Sequence, residues 1–165
     1  MLTIEIISKN RLEIVHNLAN QIFPHTYANI LTPCQIDYMM NVMYSIQSLE
    51  NQIEVEKQIF HLVNLENTPC GYFSLELTTP TTCILQKLYL LPSLHGKGYG
   101  KQILNEAISY IRTHIPTVEK LQLYVNRENK AKDFYLNYGF SIKDSRDFHI
   151  GNGYYMNDYI MELPL

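Results

Sequence analysis

The sequence contains no tryptophan, three cysteines, and only seven each of glycine and proline among its 165 residues. Cys34, Cys70 and Cys83 are odd in number, far apart and without a CxxC pair, which argues against a disulfide framework and a zinc knuckle and fits a reducing cytosol. Cationic excess is also lacking: thirteen Lys and Arg against sixteen Asp and Glu leave a formal charge of −3, with no block of like sign. That balance is poor footing for binding nucleic acid or an anionic membrane. No apolar run reaches membrane-spanning length, and the opening MLTIEIISKN alternates and carries Glu5 where a signal peptide would be basic. A cytoplasmic protein is expected. The six histidines, at 16, 25, 61, 95, 114 and 149, show no HxxxH or HxH spacing, so no metal is expected.

What the chain does have is thirteen tyrosines and a regular alternation of strand-like and helix-like segments. Leu2, Ile4 and Ile6 alternate as a strand does, and Leu12, Val15, Leu18 and Ile22 then recur with helical spacing over Lys9–Ile22. Thr32, Pro33 and Gln35 spell a helix start, which predicts a helix to about Tyr44. Ser48 is expected to cap a short helix reaching Glu56. QIFHLVN and CGYFSLELT read as two strands joined by the turn-like ENTP, and TTCILQKLYLLP as a third strand ended by Pro92. Ile103, Leu104, Ala107, Ile108 and Ile111 share a helical face that Pro116 ends. KLQLYV is a further strand; Asn129 is expected to cap a helix that Gly139 stops, and two β-rich runs flank the IGNG turn. Leaving the short Ser48 helix aside, the order β α α β β β α β α β β, with no repeat or linker, predicts one α/β domain over residues 1–165.

The chemistry concentrates at the junction LLPSLHGKGYGKQIL, residues 90–104. Here three glycines, Gly96, Gly98 and Gly100, lie between a strand and a helix and are interleaved with Lys97 and Lys101. A helix start leaves backbone N–H groups unpaired and carries partial positive charge, and glycine lets an anion approach that backbone closely. A phosphate or pyrophosphate is the natural guest. A Walker loop fails, because Gln102 stands where Ser or Thr would hold magnesium. A dinucleotide fingerprint is weak: the spacing is GxGxG, and LQLYV ends in Asn126 and not in an acid.

His95, Gly96, Lys97, Gly98, Tyr99 and Gly100 resemble the acyl-CoA signature of the GCN5-related N-acetyltransferase (GNAT) superfamily, with His95 where Gln or Arg is usual. LYVNRENKAKDFYLNYGF is similar to a later motif of the same family, with Asn129, Ala131, Phe134, Tyr135, Gly139 and Phe140 in family positions. The closing NDYIMEL also resembles bacterial polyamine-type members. The resemblance implies a mixed, bent sheet flanked by helices on both faces, and transfer of acetyl from acetyl-CoA directly to a primary amine of a small molecule or peptide. It implies that the amides of Gly96 to Lys101 hold the pyrophosphate. The backbone of Leu88 to Leu90 would pair with the pantetheine arm, with Tyr89 and Leu90 near the oxyanion, and Asn129 would bond the same arm.

Tyr135 occupies the family position of the proton donor to the departing thiolate. Several relatives place a glutamate where this chain has Gln86, so Glu76 on the preceding strand, or a water chain, is expected to remove the amine's proton. Tyr27, Tyr38, Met39, Tyr44, His149, Tyr154 and Asp158 are acceptor-side candidates, since aromatic faces and a carboxylate attract an ammonium group. A homodimer is a further implication of the family. The rival reading is an acyl-CoA sensor of the same fold without turnover, which the departures at His95 and Gln86 would allow.

Overall fold

A computed structural model describes residues 1–165. In chain order it contains β1 (Leu2–Ile6), α1 (Leu12–Tyr27), α2 (Pro33–Tyr44), α3 (Ile46–Glu54), β2 (Ile59–Leu65), β3 (Thr68–Thr79) and β4 (Thr82–Leu90). These are followed by α4 (Tyr99–His114), β5 (Lys120–Asn126), α5 (Ala131–Tyr138), β6 (Ser141–Gly151) and β7 (Tyr154–Pro164). The strands form one mixed sheet in the order β1-β2-β3-β4-β5-β7-β6, as the α/β expectation requires. Every neighbouring pair is antiparallel except β4 with β5. No helix is long and apolar enough to cross a membrane.

Side-chain alternation along the strands sends two cores to opposite faces of the sheet. One unites Phe73, Leu85, Leu90, Leu121 and Leu123 with Ile103, Leu104, Ala107, Ile108 and Ile111 of α4 and Tyr135 of α5. The other unites Phe60, Leu62 and Tyr72 with the apolar sides of α1, α2 and α3. Helices therefore cover both faces. Full burial of a side chain such as Ile103 is worth about 1.5–3 kcal/mol, so each face is held by several such contributions.

Two local outcomes differ from the sequence reading and one agrees with it. Helix α1 continues through Pro24 to Tyr27 instead of stopping near Ile22: the proline sits in the last turn, and Thr26 Oγ1 donates to Ile22 O at 2.9 Å. The cap of α3 is Ser45, whose side chain accepts from the N–H of Ser48 itself, so the helix begins earlier than expected. Asn129 does cap α5 as anticipated, Oδ1 accepting from Ala131 N–H at 2.9 Å.

The feature that shapes a site is the middle of the sheet. β4 and β5 pair only over Thr82–Leu85 and Lys120–Leu123. Beyond that point β4 stays with β3 up to Leu90, while β5 stays with β7 up to Asn126. The two strands part, and a cleft opens between them.

Candidate functional site

The cleft has a volume of about 1380 Å³ and is lined from four directions: the parted strands, the end of α1, the glycine junction before α4, and α5. Its β4 wall is built by a bulge. Ser74 pairs with Lys87 and Leu75 with Leu85, which leaves Gln86 as an extra residue in β4 where the strands begin to part. Leu91 N–H donates to Cys70 O at 2.8 Å, so in the alternating antiparallel ladder Tyr89 and Lys87 also turn their backbone groups to β3. Leu88 and Leu90 consequently direct theirs into the cleft. Tyr89 supplies no backbone donor there, which corrects the expectation for that residue; it contributes its side chain to the cleft wall.

Gly96 and Gly98 take φ of +74° and +83°, the left-handed region that glycine enters without penalty, and Gly98 is the residue from which α4 starts. The backbone N–H groups from Gly96 to Lys101 have no acceptor within the protein. They form, with no acidic residue in the first turn of α4, a cradle fitted to an anion. Gly100 lies against the ring of Phe134, where an added Cβ would sit 3.5 Å from it. The side chains of Lys97 and Tyr99 do not line the cleft: Tyr99 packs on the α4-side core, and Lys97 is exposed. His95 lines the cleft, but its Nε2–H is committed to the Leu90 carbonyl at 2.9 Å and ties the loop to β4. Its role in the structure is thus to brace the loop.

Opposite the cradle stands Tyr135. It is buried, with its ring 5.1 Å from that of Phe134 and 5.5 Å from that of Phe140, and its hydroxyl makes no hydrogen bond within the protein. Burial, reinforced by the neighbouring Tyr27, holds its phenol well above the ordinary value, so it stays protonated and able to donate. Asn129 lines the same wall. The α1 end brings Tyr27, whose hydroxyl lies 3.3 Å from that of Tyr89, together with His25 and Asn29. His25 and Asn29 carried no sequence signal, since they follow the apolar face of α1 and match no motif.

The remaining candidates lie elsewhere. Glu76 is outside the cleft and accepts from Gln86 Nε2 at 2.7 Å; only the amide end of that pair reaches the cleft wall. Tyr38 and Tyr154 pack at a 46° tilt with ring centres 5.2 Å apart, and the Tyr38 hydroxyl donates to Ile150 O at 2.8 Å, so both brace the β6–β7 hairpin against α2. His149 packs against Tyr155 on that hairpin, and Met39 and Tyr44 are core. Asp158 is buried on β7 with Oδ1 unpaired, and burial raises its pKa to about 6, with Arg127 acting in the other direction. It does not line the cleft, yet its charge opposes ionisation of Tyr27, which puts it in electrostatic reach of the cleft's edge.

The sequence profile of the acetyltransferase (GNAT) domain matches residues 56–142, more than half of the chain. The chain therefore belongs to the GNAT acetyltransferase family. An uncharacterized N-acetyltransferase of Mycobacterium tuberculosis is 35% identical over 78 residues, covering 47% of this chain and 48% of that protein, so the match spans about half the length of that relative. The spermidine N(1)-acetyltransferase of Thermoplasma acidophilum is 27% identical over 156 residues, 92% of this chain and 89% of that protein. Among solved structures, the PaiA N-acetyltransferase of Thermoplasma acidophilum in complex with coenzyme A superposes with a TM-score of 0.83 at 26% identity, covering 100% of this chain and 99% of that one. The ribosomal-protein-S18-alanine N-acetyltransferase of Escherichia coli shares the fold, with a TM-score of 0.73 at 16% identity over 99% and 94% of the two chains.

Proposed function

We propose that this chain, acting as one domain in the cytoplasm, is an acetyl-CoA-dependent N-acetyltransferase whose acceptor is a primary amine of a small, polyamine-like cation. The observation that carries the reading is the conjunction in one cleft of the unpaired Gly96–Lys101 amides and the outward-facing backbone of Leu88 and Leu90. The first suits a pyrophosphate; the second suits an amide-bearing arm that docks as a short strand. The coenzyme A complex of the Thermoplasma PaiA protein and the spermidine relative support the donor and the acceptor class respectively.

In this reading the amine nitrogen attacks the thioester carbon, the C–S bond breaks, and the thiolate leaves. The Leu88 N–H faces the position where the carbonyl oxygen gains charge, a preorganised donor of the kind that lowers such barriers most. Tyr135 donates a hydrogen bond to the departing sulfur. The amine's proton leaves through water, because the cleft is open and Glu76 is held by Gln86. Tyr27 and Tyr89 supply aromatic faces on the acceptor side, and Asp158 adds negative charge behind them, a combination that favours a cation.

The test is release of free thiol from acetyl-CoA across polyamines, arylamines, aminoglycosides, amino acids and peptides, with calorimetric CoA binding beside it. Turnover confined to polyamines supports the full reading. Turnover of another amine class keeps the enzyme and replaces the acceptor, while tight CoA binding without turnover of any amine replaces enzyme by sensor.

A further inference from the structure

Lys87 is a buried cation that the reaction as described does not use. It lies on β4 between the bulged Gln86 and the cleft-facing Leu88, 5% exposed. Nζ donates to Gln58 Oε1 at 3.2 Å, and the same oxygen accepts from Ser74 Oγ at 2.9 Å, Ser74 being the cross-strand partner of Lys87. The Gln58 amide nitrogen donates in turn to Glu56 at 2.8 Å. The ammonium lies 5.4 Å from the ring centre of Phe60 and 5.9 Å from that of Tyr44. It forms no salt bridge; Glu56 and Glu76 act on it only from a distance, and Tyr44 and Ser74 are the other polar groups against it. Burial lowers its pKa to about 8. A cation buried on one amide acceptor and two aromatic faces is unfavourable for folding, so an apolar residue of the same length would suit this core better.

We propose that Lys87 is a positioning residue of the acetyl-transfer reaction, clamping the β4 bulge through Gln58 and Ser74 and supplying fixed positive charge behind the Leu88 N–H. The inference rests on the acetyltransferase reading. Its logic is that the bulge aims that N–H, and a positive charge on the preceding residue, buried in the cleft wall, acts on a carbonyl oxygen at the same position without reorganisation. The charge serves the cleft at the expense of stability.

The experiment uses acetyl-CoA carrying a 13C-labelled thioester carbonyl, bound to wild type, Lys87→Met and Lys87→Arg, with the carbonyl stretch read by infrared difference spectroscopy and Tm and CoA affinity measured beside it. Lys87→Met is expected to hold or raise Tm, to leave CoA affinity within twofold, and to return the carbonyl band toward its frequency in free acetyl-CoA. With an accepted amine, its kcat should fall about tenfold at constant KM for acetyl-CoA. Wild-type kcat should decline above about pH 8 as Lys87 loses its proton, and Lys87→Arg should carry activity to higher pH. A folded Lys87→Met protein with an unshifted band and unchanged kcat overturns the inference and leaves the acetyltransferase reading intact. Failure of wild type to bind acetyl-CoA overturns both.

Discussion

The two sides of the cleft are made of different material. On the α4 side, the groups aimed into the cleft are backbone amides, fixed by the positive φ of Gly96 and Gly98 and by the first turn of α4. On the α1 side they are side chains, with Tyr27 and Tyr89 backed by Tyr44 and Tyr72. A backbone cradle tolerates any side chain that permits its conformation, as Lys97 and Tyr99 show by pointing elsewhere. A side-chain wall changes its ligand with each substitution. The contrast teaches why a donor shared by a family is read from a short local motif while an acceptor is not.

That contrast can be broken by mutation, and the largest expected effect concerns the α4-side core itself. His61, stacked on Phe73 at 4.3 Å and edge-on to Tyr110, is buried with Nε2 unpaired, and burial lowers its pKa to about 4 from an ordinary 6.5. Above pH 6.5 both folded and unfolded chains hold it neutral and stability is unaffected. As pH falls from 6.5 through 4, the unfolded chain takes the proton first and stability drops, by about 3 kcal/mol once both forms are protonated. Denaturant melts against pH should show this loss, and His61→Phe should flatten it.

The donor side is next. Gly98→Val forces a β-branched residue into left-handed backbone, although nothing lies within 4 Å of the added Cβ. CoA affinity by calorimetry should weaken about 30- to 100-fold through misdirected amides alone, with acceptor KM little changed. An unchanged affinity would mean that the glycine junction is only a turn.

Tyr135→Phe should lower kcat about 10- to 50-fold while Tm and CoA affinity stay near wild type, since its hydroxyl is bonded to nothing in the protein. A change confined to KM would assign Tyr135 to packing. The smallest effect is expected deep on the α1 side. Tyr44 buries a hydroxyl with no partner, so Tyr44→Phe should raise stability by up to about 1 kcal/mol without touching CoA binding.

How far the sequence reached follows the same division. The strand and helix order was legible because apolar periodicity, Thr32–Pro33, Asn129 and Gly139 are local signals, and the two flanking motifs pointed to the fold and the cradle. The Gln86 bulge was not legible, since it exists only in the register between β3 and β4. Nor was the commitment of His95 to Leu90 O, or of Gln86 to Glu76, because both depend on partners that the chain brings together by folding. Tyr38, Tyr154 and Asp158 had the right chemistry for an ammonium. The β6–β7 hairpin nevertheless turns Tyr154 against Tyr38 and buries Asp158 outside the cleft lining.

The most direct test of the central claim is an amide NMR titration of the isotope-labelled protein with CoA. The account predicts the largest shifts at the amides of Gly96 to Lys101 and at Leu88 and Leu90, with Tyr89 moving less because its N–H is spent on β3. Shifts centred away from the opening between β4 and β5, or none at saturating CoA, would contradict it.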